Sequence, residues 1–252
     1  MIAALGLGLV VGIVLGVVGA GGSIIAVPAL VYGVGMSPAQ AIPTSLLVVG
    51  ASSLAALLPR IREGLNWPVI ALVGAAGIPA AWGGAAVGRL LAPNILMLAF
   101  AAIMVLAGIR MLTAPRESEG SCSTGAGRNF RSCAPKALGV GLLVGFLTGL
   151  LGVGGGFLIV PALTIFLGLR MKQAVGTSLA IIVINSAAGF SAHAAGFDID
   201  WPTTLAFAVP AILASVLATR LARRLQSKHI RISFAVLIFA VAAWVTAGTV
   251  TA

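Results

Sequence analysis

Two glycine runs mark the places where this chain could do chemistry with its backbone. Gly19-Ala20-Gly21-Gly22-Ser23 precedes Ile24-Ile25-Ala26-Val27-Pro28-Ala29-Leu30. Gly152-Val153-Gly154-Gly155-Gly156 precedes Phe157-Leu158-Ile159-Val160-Pro161-Ala162-Leu163. Each run interrupts a strongly apolar segment. A helix that starts after such a break, inside a membrane, presents several N–H groups without intrahelical partners and a partial positive charge. In hydrocarbon those donors need an acceptor, and a small anion supplies one. Glycine lets the backbone come close to it. The candidate anion-binding donors are therefore Gly21, Gly22 and Ser23 in one copy and Gly154, Gly155 and Gly156 in the other, with Ser23 read as the N-cap of its short helix.

The copies lie 133 residues apart, from Gly19 to Gly152, and the offset persists downstream. Gly35 matches Gly168, Gln40-Ala41 matches Gln173-Ala174, and Thr44-Ser45-Leu46 matches Thr177-Ser178-Leu179. Thr44, Ser45, Thr177 and Ser178 could donate hydroxyls to a substrate, or bond back to their own helices, as such residues commonly do in membranes. Gln40 and Gln173 sit one turn earlier and share that face. Asn185 lies in mid-span, with Ser52 as its repeat partner. It could face substrate or bond to a neighbouring helix. Gly12-x-x-x-Gly16 and Gly145-x-x-x-Gly149 read as helix-packing motifs. The glycine runs lack the Lys-Ser/Thr and the preceding strand of a phosphate loop.

Composition fixes the setting. Hydrophobic residues make up 60% of the chain and charged residues 8%, with mean hydropathy +1.16, whereas soluble domains carry about 25% charged residues. No charged side chain occurs from Met1 to Pro59. The net charge of +10 falls in loops between apolar runs rather than along a stripe. It therefore reads as membrane topology, and nucleic acid is not an expected partner. Cys122 and Cys133 lack a local histidine and make a poor metal site; they read as free thiols, with a disulfide or redox role as the alternative. No cofactor is implied. No acid or base lies clearly inside a span, so neither a buried proton relay nor an enzyme is expected. His193, near a span end, is the titratable candidate and also reads as an interfacial histidine.

The elements follow from apolar run lengths. In the first half, Met1–Ala20, Gln40–Leu58, Trp67–Leu91 and Ile95–Leu112 are long apolar segments, and Ile24–Val34 is half-length. Pro59–Asn66 reads as a polar loop. Residues 113–135 form a Ser-, Gly- and Arg-rich linker. The second half repeats the plan over Lys136–Gly152, Phe157–Leu167, Gln173–Ala195, Trp201–Ala222 and Ile230–Val250. The fold class is all-α and polytopic, with units 1–112 and 136–252 and 8–10 membrane segments. The first pair in each unit fits either two short spans or a re-entrant hairpin. Between equivalent loops the positive charge changes side: Arg60 and Arg62 face Asp198 and Asp200, while Ser37-Pro38-Ala39 faces Arg170 and Lys172. Positive loops stay inside, so the halves are expected to be inverted, with the linker cytoplasmic and both termini outside. Allowing small gaps, Arg89 aligns with Arg220, each drawing anions to one mouth or merely anchoring its span.

The doubled Gly-x-Gly-Gly-(Ser/Gly)…Val-Pro-Ala-Leu motif and the Gln-Ala-x-x-Thr-Ser pairs resemble the sulfite exporter TauE/SafE family, also called the TSUP family. The resemblance covers nearly the whole chain. It implies a multi-pass permease of the bacterial inner membrane for sulfite, thiosulfate, organosulfonates or related anions; the residues alone imply only a small anion. Inverted repeats with broken helices place such a site near mid-membrane and imply alternating access. An anion channel and a membrane-embedded subunit of a larger complex are the rival readings. The lipid bilayer is the expected surroundings, and a homo-oligomer is compatible with the sequence.

Overall fold

The computed structural model describes residues 2–18, 21–63, 65–113, 130–151, 156–193, 200–222, 232 and 236–245. These residues form helices and connecting turns, with no strand among them. The helices are α1 (Ile2–Val18), α2 (Gly21–Pro28), α3 (Pro38–Leu57), α4 (Trp67–Gly88), α5 (Pro93–Thr113), α6 (Phe130–Leu151), α7 (Gly156–Ile165), α8 (Met171–His193), α9 (Trp201–Ala222) and α10 (Val236–Val245). Five segments are long and apolar enough to cross a bilayer: Ala39–Ile61, Trp67–Gly88, Cys133–Leu151, Met171–Ala192 and Trp201–Leu221. The chain is an all-α polytopic membrane protein. Its outer faces are as apolar as its core: Leu205, Val209, Leu213 and Leu217 stand exposed one turn apart on α9. Trp67 and Trp201 are exposed at the starts of α4 and α9, at the kind of position where tryptophan anchors a span at the interface.

Local chemistry sets the helix ends. Asn66 Oδ1 accepts from Val69 N at 3.4 Å at the start of α4, and Asp200 does the same for Thr203 N at 3.3 Å at the start of α9. Pro68 and Pro202 follow in the first turn, where a missing N–H costs nothing. Pro28 adds no N–H to its ladder, and the chain continues as a π-helical turn over Ala29–Gly33. The two short helices close alike. Met36 N donates to Leu30 O at 3.0 Å, and Leu169 N donates to Leu163 O at 3.0 Å. Gly35 and Gly168, with φ of 82° and 66°, supply the left-handed residue such closures need.

Glycines then interlock the halves. α1 packs against α9, and α6 against α4. Gly8, Gly12 and Gly16 lie on the backbone of Phe207, Ala211 and Ser215; Gly141, Gly145 and Gly149 lie on that of Val73, Gly77 and Ala81. A Cβ at any of the six would collide with a carbonyl. Both pairs run parallel with the same spacing. Gly12, Gly16, Gly145 and Gly149 thus pack helices, and Gly8 and Gly141 extend the stripe by a turn. Val73 corresponds to Phe207, an offset of 134, which sets Arg220 opposite Ala86 rather than Arg89. α3 and α8 cross antiparallel. A Cβ at Gly50 would meet Ser186 Cβ at 3.2 Å, and one at Gly189 would meet Leu46 Cδ1 at 3.3 Å.

Four expectations change. α2 begins at Gly21, so Ser23 lies inside its first turn and is not the N-cap. α6 begins at Phe130, within the expected linker. Cys133 is disulfide-bonded, not a free thiol; Cys122 lies outside the described residues. Pro59–Asn66 is not simply a polar loop. Leu58–Glu63 is a 3-10 helix continuing α3, and Arg60 within it is only 3% exposed. Burial is feasible because the guanidinium reaches the end of α1.

Candidate functional site at the broken helices

α2 and α7 are short helices that pack on one another. Every residue from Gly22 to Leu30 is buried, as are Ile159 to Leu163. A helix that is apolar all round belongs inside a bundle, and these two start there after the glycine runs. Ser23 is fully buried and Gly156 opens α7. Gly154 and Gly155 lie outside the described residues. Gly22 has a packing duty of its own. A Cβ there would collide with Leu15 Cβ and approach Val11 O at 2.6 Å, so the glycine lets α2 fold back on α1.

The paired hydroxyls are buried on α3 and α8, which pack against α2 and α7 respectively. Thr44, Ser45, Thr177 and Ser178 are at most 1% exposed. Ser45 Oγ donates to Ile42 O at 2.8 Å, and Ser178 Oγ donates to Val175 O at 2.8 Å. Those two protons serve their own helices. Thr177 differs: its Oγ1 accepts from Asn66 N at 3.3 Å, which leaves its proton to give. Gln40 stands apart from the buried group. It is exposed at the start of α3, where Ser37 Oγ donates to its Oε1 at 3.1 Å. Gln173 is half-buried.

Asn185 is fully buried on α8. Its carboxamide lies against the backbone of α4 at Gly77, where any Cβ would collide with Oδ1. Neither its oxygen nor its nitrogen has a hydrogen-bond partner. The same holds for the side-chain oxygens of Ser52, Ser53, Ser186 and, on α9, Thr204. Leaving a buried donor or acceptor unmade costs about 1–3 kcal/mol each. Other buried hydroxyls are bonded: Thr148 donates to Val144 O at 2.8 Å, and Ser215 to Ile212 O at 2.8 Å.

The sequence reading missed Arg60, whose cause is local. α1 stops at Val18, leaving its last carbonyls without intrahelical donors. Gly16 O accepts from Arg60 Nη2 at 3.4 Å and from Thr219 Oγ1 at 3.2 Å. A cation at a helix C-terminus also meets the negative end of its dipole. Arg89 Nη2 donates to Ala192 O at 2.8 Å in the last turn of α8, so it anchors one half to the other. Among the described residues Arg60 is the buried charge, and no Asp or Glu is buried with it. No cluster of three metal-ligating side chains occurs among them.

Comparison with known proteins adds an independent line. The profile of a family described as sulfite exporter TauE/SafE matches residues 4–245. A probable membrane transporter protein of Xylella fastidiosa is 35% identical, over 97% of this chain and 94% of its own. The probable membrane transporter protein YunE of Bacillus subtilis is 31% identical over 89% of each chain. Probable membrane transporter protein MJ0441 of Methanocaldococcus jannaschii is 26% identical over 89% of this chain and 87% of its own.

Proposed function

Because the chain belongs to the sulfite exporter TauE/SafE family, we propose that it is a membrane transporter for a small sulfur-containing anion such as sulfite, thiosulfate or an organosulfonate. The observation that carries this reading is the pair α2 and α7: two short, buried helices that start inside the bundle, pack together and close with the same cap. Their N-terminal amides, from Gly21 to Ser23 and from Gly154 to Gly156, would receive the anion. Thr44, Ser45, Thr177 and Ser178 would surround it, with Gln173 beside them and Gln40 at an entrance.

Transport would proceed by alternating access, one half rocking against the other. Two features support an inverted arrangement. The equivalent helices α3 and α8 cross antiparallel, and the glycine stripe of α1 on α9 recurs in α6 on α4. The positive loops add the orientation: linker 113–135 in the cytoplasm of a bacterial inner membrane, termini outside. Binding of an anion panel to the purified protein tests the substrate class. Sulfite, thiosulfate and a taurine-like sulfonate should raise the melting temperature, and chloride should not. Equal response to chloride, or no response to any, contradicts the proposal.

A further inference from the structure

The two repeats exchange helices. The glycine-lined contacts join α1 to α9 and α6 to α4, so each close pair takes one helix from each repeat. The next layer follows the same division. α3 packs on α9, where Ser215 Oγ donates to Ser52 O at 3.1 Å. α8 packs on α4, where a Cβ at Gly74 would meet Ile184 Cδ1 at 3.0 Å and one at Gly77 would collide with the Asn185 carboxamide. α2 folds back on α1 at Gly22, and α7 packs on α8. One group is thus α1, α2, α3 and α9; the other is α4, α6, α7 and α8. α5 joins the second through α7, and α10 the first through Trp244, whose ring lies 6.2 Å from that of Tyr32. Among the described residues neither α1 nor α9 packs appreciably on α4 or α6. Hydrogen bonds respect the same division. Arg60 and Thr219 meet on Gly16 O within the first group. Asn66 N, at the cap of α4, donates to Thr177 on α8, and Arg89 at the end of α4 donates to Ala192 O, both within the second. None of these bonds crosses between the groups.

We propose that these two exchanged groups, not the two repeats, are the bodies that move against one another during transport. This rests on the alternating-access reading above and says what its moving parts are. Helices in backbone contact through glycine, and tied by hydrogen bonds, travel together. The groups meet where α3 crosses α8, where α2 lies on α7, and where Gly108 of α5 faces Ile238 of α10. At the crossing the nearest atoms belong to side chains: a Cβ at Gly50 would meet Ser186 Cβ at 3.2 Å, and one at Gly189 would meet Leu46 Cδ1 at 3.3 Å. Side chains can repack as helices shift, whereas carbonyls pressed on glycine leave no play. The chain passes from one group to the other between α3 and α4 and again between α8 and α9. The broken helices α2 and α7 fall in different bodies, so an anion held at their N-termini would lie between moving parts.

Distances between nitroxide labels on the full-length protein in lipid nanodiscs, without ligand and with sulfite, separate the two divisions. Leu5→Cys on α1 with Leu217→Cys on α9 pairs different repeats within one group. Leu142→Cys on α6 with Leu217→Cys pairs different groups within one repeat. All three leucines are exposed, so the substitutions spare the packing. The chain has no free cysteine of its own, and labels attached through thioethers survive sulfite. The first pair should hold a single distance in both conditions, and the second should split into two distances or shift with sulfite. Any change in the first pair overturns the inference, and a change there with none in the second means that the repeats move as units. Fixed distances in both pairs overturn it as well. The transport reading is judged separately, by wild-type binding of sulfite, thiosulfate and a sulfonate. If none binds, that reading falls, and the ligand-free distances still decide whether the groups move.

Discussion

A hydroxyl buried in a membrane bundle is informative only when its proton is traced. Thr177 and Ser178 look interchangeable in the sequence, yet Ser178 gives its proton to Val175 O, and Thr177 receives one from Asn66 N. Thr177→Val should therefore weaken anion binding about tenfold, and Ser178→Ala much less; equal losses in titrations of the two variants would contradict this assignment. Asp200 offers a titration at the start of α9. Hydrogen bonds from the Thr203 hydroxyl and backbone hold its exposed carboxyl below the usual carboxylate range. A lowered folded-state pKa contributes stability above the unfolded pKa, and the contribution is lost as pH falls through the folded value. Asp200→Ala should thus melt slightly below wild type at neutral pH and converge with it in acid. A constant difference across that range would count against the cap. The doubled Thr-Ser pattern was legible because it recurs at one offset. The destination of each proton was not, since it depends on which neighbouring backbone group reaches that hydroxyl.

Among the helices, small residues set the distances. Gly149 rests on the Ala81 carbonyl, whereas Gly6 has nothing within 4 Å of where a Cβ would stand. Gly149→Ala should cost about 1–3 kcal/mol through forced separation of α6 from α4. Gly6→Ala should be neutral, or stabilising by about 0.5–1 kcal/mol. Unfolding in detergent compares them directly, and similar effects would refute the close-contact account. The long apolar runs were readable from length alone, and so was the packing role of Gly12, Gly16, Gly145 and Gly149. The burial of Arg60 was not. Pro59 and the charges after it look like a loop, but the unpaired end of α1 draws that turn inward. Gly22 carried an ambiguity that only packing resolves, because fold-back against Leu15 and anion contact both call for glycine.

For the whole molecule, the halves are legible as a repeat, but their interlocking is not: nothing local says that α1 leaves its own half to lie on α9. Orientation rests on two signals that pull apart. Arg116, Arg128, Arg131 and Lys136 would place the linker inside, while the disulfide at Cys133 is of a kind found mostly in oxidising compartments. The proposed topology gives the charges precedence. After reduction with a permeant thiol, an impermeant maleimide should label inside-out vesicles and spare right-side-out ones; labelling from the outside would reverse the orientation. The transport claim itself is tested most directly by counterflow in proteoliposomes. Vesicles preloaded with unlabelled sulfite should take up labelled sulfite transiently above equilibrium, with a rate that saturates. Uptake that rises linearly with concentration and shows no overshoot would mean a channel, and no uptake at all would remove the function proposed for the broken helices.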